Sequence, residues 1–312
     1  MTAISRSVPL ALQQVSKWYG NVIGINEATI TIDGGAVALL GPNGAGKSTL
    51  MKLITGQLRP SLGNVNVFGV PPANPNSRRR VGYCPDVDAF YEEMTGRQFV
   101  HAMLKLSGYT IREAKERTDR SLDTVGMADR ADKPIRGCSK GMRQRIKLAQ
   151  AIAHDPDLLV LDEPLSGLDP VGRRDFCDLF RKWTQQGRTI LISSHVMEEV
   201  EAVAESVILV GAGRVLTQGT WREINAFLND IPQRYRVSSP AIRLLASRLI
   251  QWPGLVEVEL LGPTDCVVTT RDGSGLCEEI GRLVCDDGFE VDRFKPEGHW
   301  AETLFGLARE AS

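Results

Sequence analysis

Gly41-Pro42-Asn43-Gly44-Ala45-Gly46-Lys47-Ser48-Thr49 is the stretch of sequence that decides the fold of this chain. It follows a compact apolar segment at residues 37–40, which predicts a buried strand, and it leads into residues 48–58, whose apolar positions share one helix face. Glycines in such a loop let consecutive backbone N–H groups turn inward, and the helix N-terminus adds the positive end of its dipole. The stretch therefore predicts an α/β fold with a phosphate-binding loop.

Two side chains of this loop carry the chemistry. We expect Lys47 to place its ammonium against the β- and γ-phosphates of a nucleotide and Ser48 to offer its hydroxyl to Mg²⁺. The other positions expected to bind the nucleotide are Asn43, Gly44, Ala45, Gly46 and Thr49. A glycine turn can match this pattern by accident, but the strand before it and the helix after it are the context that the motif requires.

A second apolar segment, residues 158–161, ends in the adjacent acids Asp162 and Glu163. Ligands of open parallel sheets bind at the carboxyl ends of strands, where the phosphate loop also lies. We therefore expect Asp162 to hold Mg²⁺, directly or through water, and Glu163 to accept a proton from an attacking water. An isolated Asp-Glu pair is more often a solvated strand end, and the phosphate loop favours the functional interpretation.

His195 follows a predicted strand at residues 189–193 and begins the next helix. A single histidine is more often structural than catalytic. Because this third strand ends beside the same cleft, we expect His195 to act in catalysis.

The order of elements predicts two domains. Residues 8–224 combine a mainly parallel sheet with a helical subdomain at about residues 87–150, because short apolar strands alternate there with helices. Residues 225–312 follow a β-α-β-β-α-β order, which is typical of a small α+β, ferredoxin-like domain. Its predicted strands are 234–237, 256–261, 266–270 and 289–294, and its predicted helices are 241–251, 275–285 and 301–308.

Composition excludes several classes of protein. The chain has 37 Lys and Arg against 38 Asp and Glu, so no net field indicates a nucleic-acid partner. Its six cysteines form no CxxC pair, which gives no sign of a zinc or redox motif. The first eight residues lack the apolar core of a secretory signal, and the apolar runs are too short to span a bilayer. We expect a cytosolic protein whose membrane contact comes through a partner.

Cys138-Ser139-Lys140-Gly141-Met142-Arg143-Gln144-Arg145 opens a helix about twenty residues before the acidic strand. Its residue types alone are equally consistent with a serine N-cap of an ordinary amphipathic helix. It resembles the signature motif of ABC transporter ATPases, in a form frequent among exporters. Over residues 9–220 the other family motifs occur in the family's order: Tyr19 matches the adenine-stacking aromatic, Ser166-Gly167-Leu168-Asp169 the D-loop and His195 the switch histidine.

The resemblance implies a P-loop NTPase fold and a mechanism. Two such subunits, which we expect to be identical, would sandwich two ATP molecules, each held by one chain's phosphate loop and by Ser139 and Gly141 of the other. Asp169 belongs to the same nucleotide site. Closure on ATP and reopening after hydrolysis would drive an integral membrane permease, with the ATPase peripheral on the cytoplasmic face of the cell membrane.

Two departures from the family pattern stand out. Val81-Gly82-Tyr83-Cys84-Pro85-Asp86 occupies the Q-loop, whose last residue in most of the family is glutamine. Asp86 can bind Mg²⁺ or a bound water but cannot donate a hydrogen bond while ionised, so we expect a role in metal coordination or in signalling to the permease. The alternative is a loop acid with no role in the site. Cys138, Lys140 and Met142 also differ from the commonest signature.

The region after residue 225 resembles the appendage of ATPases of the ABC type-2 export family, and Ala301-Glu302-Thr303-Leu304-Phe305 is similar to their closing helix. Two other functions stay open. One is an ABC ATPase acting on ribosomes or DNA, which the single cassette and the absence of heptads disfavour. The other is a regulatory module without turnover, which Glu163 and His195 disfavour. The cargo, the direction of transport and the choice of homodimer or heterodimer are not encoded in these motifs.

Overall fold

The computed structural model describes residues 8–229 and 232–297. They form two compact units, the first ending at Thr220 and the second beginning at Trp221, four residues before the predicted boundary. The predicted helix at residues 301–308 and the segment 301–305 lie outside the described residues, as do residues 1–7. Within the described ranges, no helix is both long and apolar enough to cross a membrane.

The described residues of the first unit, 8–220, form nine strands and seven α-helices. The strands are β1 (Leu10–Tyr19), β2 (Val22–Ile32), β3 (Ala36–Leu40), β4 (Leu62–Val67), β5 (Val81–Cys84), β6 (Leu158–Asp162), β7 (Thr189–Ser194), β8 (Ser206–Gly211) and β9 (Arg214–Thr220). The helices are α1 (Lys47–Ile54), α2 (Pro75–Arg78), α3 (Gly96–Leu106), α4 (Ile111–Thr124), α5 (Lys140–Ile152), α6 (Pro170–Gln185) and α7 (Met197–Glu201).

A six-stranded sheet with the order β5-β6-β7-β3-β8-β9 forms the centre of this unit. Every pairing is parallel except β8 with β9, which confirms the predicted mainly parallel sheet. All residues of β3, β6 and β7 are buried, because helices cover parallel strands on both faces. In the register, Asp162 pairs with Ser193 and Leu40 with Ser194, so β3, β6 and β7 end at one edge of the sheet.

A separate antiparallel sheet with the order β2-β1-β4 packs its apolar side chains into the same core. Its strands β1 and β2 are joined by a two-residue turn, Gly20-Asn21, and Gly20 adopts the positive φ of 60° that such turns require. The turn places the end of β1, and with it Tyr19, near the phosphate loop. Tyr19 Oη lies 3.4 Å from Thr49 Oγ1.

Helices α3, α4 and α5 form the helical subdomain. Thr95 and Thr110 begin α3 and α4 with complete capping boxes, which satisfy the free N–H groups of the first turn. Helix α3 ends at Leu106, and Gly108, with a φ of 91°, separates it from α4. Arg97 of α3 binds Asp119 and Asp132 and so ties these elements together.

Some predicted bounds are wrong in detail. Helix α1 ends at Ile54 rather than at residue 58, because Gly56 turns the chain with a φ of 72°. Helix α7 spans only Met197–Glu201, so His195 precedes this helix rather than beginning it.

The second unit consists of α8 (Trp221–Asn229), β10 (Gln233–Ser238), α9 (Ile242–Leu249), β11 (Leu255–Leu260), β12 (Asp265–Thr270), α10 (Gly273–Cys285) and β13 (Arg293–Pro296). Its sheet is antiparallel with the order β11-β12-β10-β13, the arrangement of a split βαβ fold, as predicted. The last strand begins at Arg293, four residues later than predicted. Val237, Cys266 and Val268 form the centre of a core of its own, against α9 and α10.

Candidate functional site

The phosphate loop joins the end of β3 to the start of α1 at the centre of the six-stranded sheet. Gly44 and Gly46 have φ values of 80° and 106°, a conformation that L-residues with a side chain rarely adopt. A Cβ on Gly46 would lie 2.5 Å from the Gly24 carbonyl oxygen, so this position also requires a residue without a side chain. Ala45 is fully buried, and its carbonyl accepts the Gly213 N–H at 3.0 Å.

The Lys47 ammonium is folded back into the loop, with 6% of the residue exposed. Its Nζ donates to the carbonyl oxygens of Gly41 at 2.6 Å and Pro42 at 3.2 Å, and lies 3.8 Å from Glu163 Oε1. Burial lowers the pKa of Lys47, while the charges of Glu163, Asp162 and Asp86 raise it. The loop therefore holds a cation among acids, in the position where phosphate oxygens would compete for it.

Asp162 and Glu163 are joined through Ser193 of the neighbouring strand. Ser193 Oγ donates to Asp162 Oδ1 at 2.6 Å and accepts the Glu163 N–H at 3.0 Å. Glu163 has a φ of 49°, a left-handed conformation that few non-glycine residues adopt. The bond from its N–H to Ser193 holds the Glu163 backbone, and its carboxylate contacts His195 and Lys47.

His195, which follows β7, contacts the carboxylate of Glu163, which follows β6. His195 Nδ1 lies 3.0 Å from Glu163 Oε2 and 3.1 Å from Oε1, so Nδ1 carries the proton in this contact. Burial raises the pKa of Glu163, and the hydrogen bond and charge of His195 and the charge of Lys47 act in the opposite direction. A carboxylate whose pKa is raised by burial and lowered by neighbouring groups in this way is suited to accept a proton near neutral pH.

Lys47, Asp162 and Glu163 line one pocket of about 350 Å³, whereas His195 contacts Glu163 without being among the lining residues. Its lining residues are Tyr19, Val22, Ile23, Gly24, Pro42, Asn43, Gly44, Gly46, Lys47, Ser48, Thr49, Asp86, Asp162 and Glu163. Of the predicted phosphate-loop residues, Ala45 alone is missing from the lining, because its side chain faces the core. Val22, Ile23 and Gly24 were not predicted, although the turn after Tyr19 brings the start of β2 beside it.

Three predicted residues lie away from this pocket and begin helices instead. Ser139 caps α5, where its Oγ accepts the Met142 N–H at 3.3 Å. Asp169 caps α6 and accepts the Gly172 N–H at 2.8 Å. Gly141, in the first turn of α5, is not among the lining residues either. Within one chain the structure therefore does not bring Ser139, Gly141 and Asp169 to the phosphate loop.

Comparison with known proteins supplies the family. The family model described as "ABC transporter" matches residues 26–166. An uncharacterized ABC transporter ATP-binding protein of Bacillus subtilis, YxlF, is 36% identical over 216 residues, which cover 69% of this chain and 72% of that relative. This chain belongs to the ABC transporter ATP-binding proteins. As a member of that family it is an ATP-binding ATPase subunit.

Two further similarities agree with this family. The Nod factor export ATP-binding protein I of Sinorhizobium fredii is 37% identical over 223 residues, 70% of this chain and 65% of that protein, a little under two thirds of its length. A solved structure described as the ATP binding subunit of an ABC transporter has a TM-score of 0.63 and 29% identity, and the match covers 70% of this chain and 92% of that one. The P-loop NTPase fold is thereby confirmed.

The oxygen-bearing side chains of the ABC pocket fit a Mg²⁺ ion. Asp86, Asp162 and the Ser48 hydroxyl line the same cavity, and Mg²⁺ in nucleotide sites takes one or two carboxylates together with phosphate oxygens. No group of three or more His, Cys, Asp or Glu side chains suited to a metal occurs among the described residues.

The sequence pattern did not indicate how the ABC signature helix is anchored. Gln144 Nε2 of α5 donates to the Pro164 carbonyl at 2.9 Å, directly after the acids. Lys147 Nζ donates to the Asp86 carbonyl at 2.7 Å. Both side chains are almost fully buried. Polar residues on the inner face of an amphipathic helix need hydrogen-bond partners. The position of Gln144 and Lys147 on that face is therefore the feature that could have predicted these contacts.

Proposed function

We propose that this ABC protein hydrolyses Mg²⁺-ATP between two copies of itself and so powers export by a separate membrane permease. The observation that carries the proposal is the Glu163 carboxylate, which lies at the edge of the pocket against both Lys47 and His195. A general base in this place, with a cation on one side and an imidazole on the other, is suited to activate water beside a γ-phosphate.

The predicted residues then have the following roles. The backbone of residues 43–49 and the Lys47 ammonium bind the phosphates, and Tyr19 stacks on the adenine. Ser48, Asp162 and Asp86 hold Mg²⁺, which neutralises phosphate charge when bound. Glu163 takes the proton of the attacking water, and His195 positions the carboxylate of Glu163 through Nδ1.

The second half of the site comes from the partner copy. Ser139 and Gly141 lie at the N-terminus of α5, a helix of 13 residues whose dipole favours an anion. Since neither residue lines the pocket of its own chain, a phosphate from another copy is the anion that we assign to them. Asp169 begins α6 beside this surface and joins the same composite site.

The proposals of export and of attachment to the membrane are based on membership of the ABC transporter family. The similarity to a protein named for Nod factor export supports export. The near balance of 37 basic and 38 acidic residues gives no support to a nucleic-acid partner. We assign the chain to the cytoplasmic face of the cell membrane, held there by an integral membrane permease.

A mixing experiment tests the composite site. Lys47→Ala damages the phosphate loop and Ser139→Ala damages the signature, so each purified full-length variant alone should have almost no ATPase activity. Random mixing in equal amounts makes one site in four intact, and about a quarter of the wild-type rate should return. Mixtures as inactive as their components would contradict a site shared between two copies.

A variant that binds ATP but cannot hydrolyse it tests the role of Glu163 as the general base. Glu163→Gln keeps the shape of the side chain but cannot take the proton, so ATP turnover should fall about 10²- to 10⁴-fold. The variant should then elute as a dimer with ATP and as a monomer without it. Turnover at the wild-type rate would remove Glu163 from the mechanism.

A further inference from the structure

A buried lysine links the signature helix to the acid that departs from the family pattern. Lys147 lies on the inner face of α5 with 5% of its surface exposed. Its Nζ donates to the Asp86 carbonyl at 2.7 Å and lies 3.0 Å from Asp88 Oδ1. One ammonium therefore contacts the Asp86 loop at two points, the backbone carbonyl of Asp86, 61 residues earlier in the sequence, and the side-chain carboxylate of Asp88.

Arg143, one helical turn before Lys147, contacts the same segment further along. Its guanidinium forms two hydrogen bonds with the Glu92 carboxylate at 2.8 and 2.6 Å, and Nη1 lies 3.5 Å from Asp88 Oδ2. Paired hydrogen bonds of this kind fix orientation as well as distance. Residues 86–92 are thus attached to α5 by two cations four residues apart on one helix face.

The burial of Lys147 indicates a purpose beyond packing. An ammonium loses its hydration when it is buried, so an apolar residue of similar length would fill this space at lower cost. What an apolar residue cannot do is bind the Asp86 carbonyl. This bond fixes the backbone of the residue whose side chain lines the ATP pocket together with Lys47 and Asp162.

We propose that Lys147 is the positioning residue for Asp86, and that through it α5 and the Asp86 loop move as one body. Ser139, at the start of the same helix, is assigned above to the partner's phosphate, so this inference rests on the proposed function. Contact of the signature with one ATP would then set the position of Asp86 in the other pocket. Lys147 touches no substrate and acts on turnover only through Asp86.

The test combines kinetics with a cycle of variants in the full-length protein. Lys147→Met should lower kcat about tenfold with less than a twofold change in the KM for ATP, and Lys147→Arg should restore most of the rate. In an Asp86→Ala background, Lys147→Met should cause no further loss, because two residues that act through one contact are not additive. Lys115→Met, at an exposed position of α4, is the matched control for removing a lysine.

Amide hydrogen exchange gives a readout that does not need turnover. In Lys147→Met without nucleotide or metal, exchange should become at least tenfold faster in residues 85–92 and stay unchanged in residues 41–49. If exchange speeds up equally everywhere, Lys147 is only a stabilising residue and the proposal is wrong. An equal loss of kcat with and without Asp86 would also overturn it. A wild-type chain without ATPase activity would instead refute the proposed function, while exchange in residues 85–92 would still report on Lys147.

Discussion

Lys47 Nζ lies 3.8 Å from Glu163 Oε1, which pairs the cation of the phosphate loop with the acid that follows β6. The two residues are 116 positions apart in sequence, and they meet because β3 and β6 both flank β7 in the sheet. In the absence of a nucleotide each charge partly compensates the other. Phosphate oxygens that attract Lys47 would release Glu163 for the attacking water.

The buried carboxyl of Glu163 predicts a pH-dependent stability. Burial raises the pKa of Glu163 above its ordinary value of 4.5, so the native state binds this proton more tightly than the unfolded state. The free energy of unfolding then falls as the pH rises from 4.5 through the raised pKa of Glu163 in the native state. Glu163→Gln removes this effect, and its Tm relative to wild type should increase from pH 4 to pH 8. Thermal unfolding of both proteins measures the trend, with Glu116→Gln on exposed α4 as control; a constant difference would contradict it.

Two glycines of the phosphate loop should respond differently to alanine. A Cβ on Gly46 would meet the Gly24 carbonyl, whereas a Cβ on Gly44 would have no atom within 4 Å. Gly44→Ala should cost only the backbone strain of a positive φ, about 1–2 kcal/mol. Gly46→Ala should cost more and should also abolish ATP binding, since the loop must move. Urea unfolding without nucleotide distinguishes them; equal losses would refute the steric argument.

The aromatic ring of Tyr19 should contribute to affinity rather than to chemistry. It is 45% exposed beside Val22 and Ile23, as a stacking surface must be. Loss of one stacked base costs about 1–3 kcal/mol, so Tyr19→Ala should raise the KM for ATP roughly 5- to 150-fold with little change in kcat. Tyr19→Trp should retain the wild-type KM. Trp18→Ala, which removes a neighbouring aromatic outside the pocket lining, serves as control; an equal effect there would contradict stacking by Tyr19.

Arg173 should couple the D-loop to the helix that follows His195. Its Nη1 lies 2.9 Å from Glu199 Oε1 on α7, and its Nε donates to the Leu168 carbonyl at 3.2 Å. We expect Arg173→Met and Glu199→Gln each to lower kcat several-fold, and the double variant to be no slower than the slower single one. Steady-state ATPase rates of the four proteins complete the cycle. Additive losses would show that the pair acts independently, and the exposed neighbour variant Arg174→Met should have no effect.

Much of the fold and of the pocket could be predicted because it depends on local pattern. Apolar strands followed by glycines or acids have one favourable place in a parallel sheet, and this placed Lys47, Asp162, Glu163 and His195 at one edge. The order of strands in the second unit follows from its alternation of strands and helices in the same way.

The remaining contacts depend on register and on long-range packing, which no local pattern contains. Ser193 joins the two acids only because β6 and β7 pair Asp162 with Ser193, and a shift of one residue would turn that hydroxyl to the other face. The left-handed backbone of Glu163 is equally invisible in the sequence, since glutamate has no preference for it. Lys147 finds Asp86 through the packing of α5 on β5, across 61 residues.

The turn between β8 and β9 connects the two sheets of the first unit. Gly213 donates its N–H to Ala45 in the phosphate loop and accepts the Asn26 N–H of β2, at 3.0 and 2.7 Å. The pocket spans the same junction, with Tyr19 and Val22 on one sheet and the loop on the other. A nucleotide bound as proposed, with its base on one sheet and its phosphates on the other, would act as a removable crosslink. Hydrolysis would then shorten that crosslink by one phosphate, while the nucleoside diphosphate would still contact both sheets.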